Sequence, residues 1–479
     1  MEEKHKTLKK NSIISLMSLF FQSGYSAILG LVANLVLTIV LAPEVFGIYI
    51  LTLSIISFLN YFSDIGLAAS LVQKDSVSND DLRTTFTVQQ LLIITLITIG
   101  FLLTPIVRSF YELPSEAIYL YWALLVSFFF SSLKTIPSIK LERKVQFQKI
   151  VLVQIVENTV FYITVSVLAL LGFGLMSFMY AVLIRSIIGT ILIYYLSFWL
   201  PQIGISTKSL KKLLSFGVPF QTNTLLALVK DDLILLFLGK ALGLEALGYI
   251  GWAKRWAESP IRMIMDNVNR ILFPIFSRMQ TEKERMSQLL EKVIRYQTLI
   301  LAPAFVGMIL LMDRFVDLVP KYSKWEPALP IFYLIIISAF FSSFSSPFTN
   351  LFNSLGKVKT TFKFMLYWTA MSWILIPILT SMYGMIGFPI ALIILSLTFV
   401  VIIMVAKKYV VFSFIKQIYP GILSSIAMGI VVYLTLLLET SWVQFVLSII
   451  AGAASYTLIL YLAFKINIMN EVTSFFKYD

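Results

Sequence analysis

Residues 212–249 read KLLSFGVPFQTNTLLALVKDDLILLFLGKALGLEALGY, and residues 11–48 read NSIISLMSLFFQSGYSAILGLVANLVLTIVLAPEVFGI. Laid side by side, both stretches begin at a polar end and run through one long apolar helix. Each then turns briefly and restarts at a hydrophobic-glycine pair, Phe46–Gly47 in one and Leu247–Gly248 in the other, with equal spacing. A chain that repeats a helix–turn–restart after about two hundred residues is built from two copies of one unit. Apolar runs of about twenty residues, the length needed to cross hydrocarbon, recur along the whole sequence.

Composition agrees with that pattern. Of 479 residues, 58% are hydrophobic and 13% charged, with a mean hydropathy of +0.88. Continuous runs such as 93–103 and 390–405 exclude a transmembrane barrel, whose strands alternate. The fold class is an all-α polytopic membrane protein. Runs near 12–41, 45–72, 83–106, 115–138, 148–171, 174–199, 209–239, 245–278, 286–312, 326–354, 357–382, 384–406, 413–437 and 441–466 predict about fourteen transmembrane helices. Residues 12–41 are too long for the apolar region of a signal peptide and are expected to stay as the first helix.

Six helices separate the copies, so both start from the same side, and the repeat is parallel, with a pseudo-two-fold axis along the membrane normal. The expected organisation is a six-helix lobe over 1–205, a second six-helix lobe over 206–410, and two additional helices with a tail over 411–479. The net charge of +13 comes from basic clusters in alternate connections, among them Lys140, Arg143, Lys144 and Lys149, then Lys208, Lys211 and Lys212, then Lys407, Lys408 and Lys416. This asymmetry places both termini in the cytoplasm and makes nucleic-acid binding an unnecessary explanation of the charge.

The chain has no cysteine and one histidine, His5, in the polar N-terminal stretch. Thiol chemistry and histidine-based triads are thereby excluded. No Gly-rich phosphate loop and no cluster of metal ligands is present, so neither enzymatic activity nor a resident cofactor is expected. A polysaccharide polymerase or membrane glycosyltransferase would need a large outer loop or an acidic catalytic motif, and the sequence shows neither.

The unusual feature is a ladder of charge at 251–274, GWAKRWAESPIRMIMDNVNRILFP. At 100° per residue, Arg255, Glu258, Arg262, Asp266, Asn269 and Arg270 fall within about 60° of one line on the helix. Intramembrane charge costs a few kcal/mol or more against lipid, so this face must line a wet cavity or meet partners. Lys230, Asp231 and Asp232 interrupt the preceding helix at the level of Lys254–Glu258, and Arg185 stands alone in MYAVLIRSIIGTILIYY.

Two readings follow. Arg185, Lys230, Arg255, Arg262 and Arg270 form a cationic cavity for an anionic substrate, since guanidinium binds carboxylate and phosphate oxygens bidentately. Alternatively, these residues brace the helices through ion pairs with Asp231, Asp232, Glu258 and Asp266, with Lys254 as a further member. Asp64 and Glu157 are intramembrane carboxyls suited to coupling transport to H+ or Na+, although Asp64 equally suits a helix cap. Gly217–Pro219, Pro260, Pro303, Pro347 and Pro389 are candidate hinges.

PEVFGIYILTLSIISFLNYFSDIGLAASLVQ at 43–73, together with SFGVPF at 215–220 and LGLEALGYIGWAKRWAESPIRMIMDNVNRILFPIFSRM at 242–279, resembles the two lobe-opening signatures of the bacterial polysaccharide transporter (oligosaccharide flippase) family. That family belongs to the multidrug/oligosaccharidyl-lipid/polysaccharide exporter superfamily. The resemblance implies a V-shaped pair of lobes that alternates access. It further implies translocation of an undecaprenyl-diphosphate-linked oligosaccharide to the outer leaflet of the plasma membrane, with polymerase and glycosyltransferase partners. Lipid II transport and multidrug/cation antiport are the alternatives within the superfamily.

Overall fold

The computed structural model describes residues 2–438 and 440–467. The side chains of residues 2–17, 20, 219, 220, 222–224, 227, 266, 267, 270 and 271 lie outside the description, and with them those of His5, Asp266 and Arg270.

Among the described residues no strand occurs, and the elements are helices in sequence. The first ten are α1 (Glu2–Val40), α2 (Pro43–Tyr61), α3 (Leu67–Gln73), α4 (Asn79–Leu102), α5 (Thr104–Tyr111), α6 (Ser115–Leu133), α7 (Thr135–Arg143), α8 (Phe147–Leu170), α9 (Met176–Leu196) and α10 (Thr207–Leu242). The remainder are α11 (Leu244–Ala257), α12 (Ser259–Arg278), α13 (Lys283–Leu318), α14 (Leu329–Ser343), α15 (Ser345–Ser354), α16 (Val358–Tyr383), α17 (Gly387–Ser396), α18 (Phe399–Ala406), α19 (Phe414–Leu436) and α20 (Trp442–Phe464).

Each of the fourteen apolar runs coincides with one helix or with a helix broken in two. Eleven stretches of the described chain are long and apolar enough to cross a membrane. The regions outside those eleven include α10, α11 and α12, which carry the charges of 230–232 and 254–262. Several breaks have local causes. Pro260 and Pro347 stand in the first turns of α12 and α15, where the missing N–H costs nothing. Between α2 and α3, Gly66 adopts φ 75° and Ile65 φ 46°, a left-handed turn that interrupts the helix.

The chain forms two compact units, residues 1–251 and 252–479. Packing therefore divides the chain inside α11, whereas repeat register divides it at 205/206. The first unit includes α10, which packs on α2, α3 and α4.

Within this unit the repeat leaves a direct mark. A Cβ on Gly47 would fall on the backbone carbonyl of Leu244, and a Cβ on Gly248 on that of Pro43. The alignment of 11–48 with 212–249 pairs Gly47 with Gly248 and Pro43 with Leu244. Equivalent residues thus exchange the same contact, the signature of an approximate two-fold axis between the starts of α2 and α11. Apolar side chains gain little by leaving lipid for protein, so close backbone approach through glycine is what lets such helices adhere.

An apolar cluster of Leu67, Leu71, Phe86, Ile136, Ile139, Trp199 and Leu213 packs α3, α4, α7 and α10 together. The Arg143 guanidinium adds hydrogen bonds to the carbonyls of Leu71, Val72, Lys74 and Asp75, satisfying the free end of α3.

In the second unit α13 packs on α19 and α20. An aromatic group stands near the start of α14: Trp252 stacks on Trp325 at 5.6 Å, and its ring N–H donates to the Tyr322 hydroxyl at 3.2 Å. Leu272, Phe276, Leu290, Phe348 and Phe352 build a separate core around α12, α13 and α15.

Candidate functional site

Two cavities open among the helices of the first unit. One, of about 600 Å³, is lined by α2, α6, α8, α9 and α10 and contains Lys134, Glu157, Arg185 and Asp232. The other, of about 550 Å³, contains Asp64, Asp231, Asp232 and Gln89. Both are lined by Ser57, Asn60 and Asp232, so polar lining continues from Arg185 to Asp64.

Helix breaks and local spacing place the charges. Lys134 sits at the junction of α6 and α7, where its Nζ lies 2.5 Å from Glu157 Oε1. Both side chains are withdrawn from solvent, Lys134 at 20% exposure and Glu157 at 7%. Opposite them on α9, a Cβ on Gly189 would collide with the Glu157 carboxylate, so the absence of a side chain there makes its seat.

One turn away on both helices, the Arg185 guanidinium lies 5.6 Å from the centre of the Phe161 ring. Among the described residues no carboxylate forms an ion pair with Arg185. From α10, Asp232 accepts a hydrogen bond from Ser57 Oγ at 3.0 Å.

Asp64 accepts hydrogen bonds from the Ala68 N–H at 3.0 and 3.2 Å, satisfying one free donor in the first turn of α3, whose N-cap position is Gly66. Its cavity also receives Gln89, a buried residue whose Nε2 donates to Thr135 while Oε1 has no partner among the described residues. On the adjoining wall, Tyr61 Oη donates to the Gln221 carbonyl and Gln221 Nε2 to the Tyr61 carbonyl. Gly217 approaches the Gly66 and Ile65 carbonyls so closely that a side chain there would have no room. Gly217, a candidate hinge, is thus also a close packing contact.

The ladder of 254–270 is arranged differently. Glu258, at the α11–α12 break, lies 3.9 Å from Lys254 Nζ and 2.7 Å from an Arg262 nitrogen. Arg262 is 63% exposed, and Arg255 is also exposed. Asn269 accepts a hydrogen bond from Asn350 of α15 at 3.3 Å. Lys230 pairs with Asp231 at 3.1 Å, both substantially exposed. The partners expected for Arg262 and Arg270 through Asp266 lie outside the described residues.

Sequence reading passed over Lys134 and Gly189. Lys134 lies four residues inside the run 115–138, in FFFSSLKTIP, where a lysine near the end of a run is ordinary. Pro137, three residues on, was the available sign that the helix breaks there.

The geometry defines a multi-pass helical membrane protein with charged polar cavities inside its bundle. The chain belongs to the family described as polysaccharide biosynthesis protein, which it matches over residues 36–330. It is 25% identical over 366 residues to the lipopolysaccharide biosynthesis protein WzxC of Escherichia coli (strain K12), covering 75% of this chain and 73% of that one. It is 24% identical over 304 residues to the succinoglycan biosynthesis transport protein ExoT of Rhizobium meliloti (strain 1021), covering 63% and 61%. Identity to the teichuronic acid biosynthesis protein TuaB of Bacillus subtilis (strain 168) is 21%, covering 64% and 62%. The chain thus spans somewhat less than two thirds of the last two relatives. Among solved structures, the lipid II flippase MurJ in an inward closed conformation has the same fold, with TM-score 0.76 at 18% identity over 95% of this chain and 99% of that one. An inward-facing multidrug transporter of the MATE family gives TM-score 0.64 at 15% identity, covering 83% and 98%.

Proposed function

We propose that this protein is a flippase that carries undecaprenyl-diphosphate-linked oligosaccharide units from the cytoplasmic to the outer leaflet of the bacterial plasma membrane. It works by alternating access and holds both termini in the cytoplasm. The observation that carries this reading is a cavity inside a membrane-embedded helical unit, furnished with Arg185 and Lys134, in a chain of a polysaccharide biosynthesis family. Relatives named for lipopolysaccharide, teichuronic acid and succinoglycan support a role in surface polysaccharide synthesis.

Cationic side chains suit the diphosphate, which is doubly charged and must leave water to cross. Arg185 is the first contact, with Lys230 as a further cationic contact in the same unit, and Arg255, Arg262 and Arg270 remain candidate contacts from the sequence. The prenyl tail stays in lipid throughout. Transport needs no chemistry on the substrate, so the protein acts as a carrier and not as an enzyme, with polymerase and glycosyltransferases as its partners in the same assembly line. Coupling to H+ or Na+ uses Asp64 or Glu157. The carboxylate of Asp64 lines the same cavity as the unpaired carbonyl of Gln89, a pair of oxygens that suits a cation.

Arg185, which forms no ion pair with a carboxylate among the described residues, argues against export of cationic drugs. Lipid II shares the diphosphate, and the fold likeness to a lipid II flippase makes it the natural competitor. The test is transbilayer movement in proteoliposomes, with undecaprenyl-diphosphate oligosaccharide and lipid II assayed separately. Movement of the oligosaccharide carrier, lost in Arg185→Ala at matched reconstitution, supports the reading. Movement of lipid II alone overturns it.

A further inference from the structure

The cavity around Arg185 is charge-balanced: Lys134 and Arg185 face Glu157 and Asp232. A diphosphate entering it adds two negative charges in a region of low dielectric, where uncompensated charge is expensive. Some carboxylate must therefore give way. We propose that Lys134 is a further substrate-binding residue, masked by the Glu157 carboxylate in the substrate-free protein and released to the diphosphate as Glu157 takes up a proton. This inference rests on the flippase reading and specifies how the site admits its substrate.

Three observations converge on the pair. First, Lys134 sits at a helix break and not on a helix face, so its ammonium projects from the junction of α6 and α7 into the cavity wall. Second, Gly189 leaves room for the Glu157 carboxylate, which gives that anion a fixed seat against Lys134. Third, the contacts Glu157–Gly189 and Phe161–Arg185 lie one turn apart on the antiparallel helices α8 and α9. Lys134 and Arg185 thereby line one cavity, held by residues one helical turn apart on α8, so that both cations face the same enclosed space. In the resting state the carboxylate occupies the place that a phosphate oxygen would take.

The other groups near Glu157 have assigned roles. Asp232 from α10 accepts from Ser57, and Tyr49 from α2 stacks on Phe178. From α1, Tyr25 shares a hydrogen bond with Thr159. From α7, Lys140 and Arg143 donate to backbone carbonyls of other segments. Protonation of Glu157 removes its attraction for Lys134 and leaves the cavity with excess positive charge, so affinity for an anionic substrate rises as pH falls.

The test uses the full-length protein in nanodiscs and undecaprenyl-diphospho-N-acetylglucosamine, whose two phosphates are diesters and keep constant charge from about pH 5.5 to about pH 8. Binding of wild type is expected to tighten as pH falls, by up to about tenfold per unit for one linked proton. Glu157→Gln is expected to bind at every pH as tightly as wild type at the lowest. The double variant Lys134→Met/Glu157→Gln leaves no buried charge alone and so keeps the fold. It is expected to bind about ten- to a hundredfold more weakly than Glu157→Gln, with a flat pH profile. A Glu157→Gln variant with the wild-type pH slope overturns the proposal, because another group then titrates. A double variant that binds like Glu157→Gln also overturns it, because Lys134 then touches no substrate. Wild-type binding that is strong but flat in pH removes the masking and leaves the flippase reading intact, whereas absence of wild-type binding at any pH removes both.

Discussion

Lys134–Glu157 in the first unit and Glu258–Arg262 in the second are ion pairs of similar length, 2.5 and 2.7 Å. They differ in burial. Glu157 is 7% exposed, and Arg262 is 63% exposed. Coulomb attraction grows as water is excluded, and so does the penalty for leaving either partner alone. A buried pair is therefore a poor source of net stability but a stiff constraint. An exposed pair is cheap to form and cheap to break. The sequence displays the ladder at 254–270 far more prominently, yet the enclosed charges belong to residues scattered over the α6–α7 junction, α8, α9 and α10.

The sharpest way to break this comparison is to remove one partner from each pair and measure thermal unfolding of the purified protein. Glu157→Ala is expected to cost about 3–5 kcal/mol, because it leaves the Lys134 ammonium uncompensated. Restoring balance with Lys134→Met/Glu157→Gln should recover most of that loss. Equal stability of the single and double variants would mean that the pair is wet.

Next in size is Gly248→Ala, expected to cost about 1–3 kcal/mol by pushing the start of α11 off the Pro43 carbonyl. Gly47→Ala should behave alike, since the two-fold contact is reciprocal, and a large difference between them would argue against the symmetry. For transport, Arg185→Ala should lower the rate on the order of tenfold or more, the loss of one charge-assisted contact. Arg262→Ala should have a smaller effect, because Glu258 already engages that guanidinium. Smallest is Glu258→Gln, expected to change stability by at most about 1 kcal/mol, with the difference shrinking as salt is raised.

Much of the fold was legible because hydrocarbon demands long apolar helices and tolerates few alternatives. The register that pairs Gly47 with Gly248 was visible as equal spacing around a hydrophobic-glycine restart. In the folded chain those same glycines meet each other's neighbours. The site was less legible. Arg185 and Glu157 stood out as lone charges in apolar runs, and both line the same cavity. Lys134 did not stand out, since a lysine near the end of a run is ordinary until the helix is known to break there. Asp64 was expected either as a coupling carboxyl or as a helix cap, and its carboxylate accepts from the Ala68 N–H in the first turn of α3.

Residue order by itself determined the class of protein, the helices, the duplication and the positions at which charge enters apolar segments, because each of these follows from the period of the helix and the thickness of the membrane. Tertiary structure alone decided which charges face each other. Ion pairing depends on distances of a few ångströms between residues far apart in the chain, here Lys134 with Glu157 and Ser57 with Asp232. Such distances are set by helix breaks and glycine contacts that no periodicity encodes.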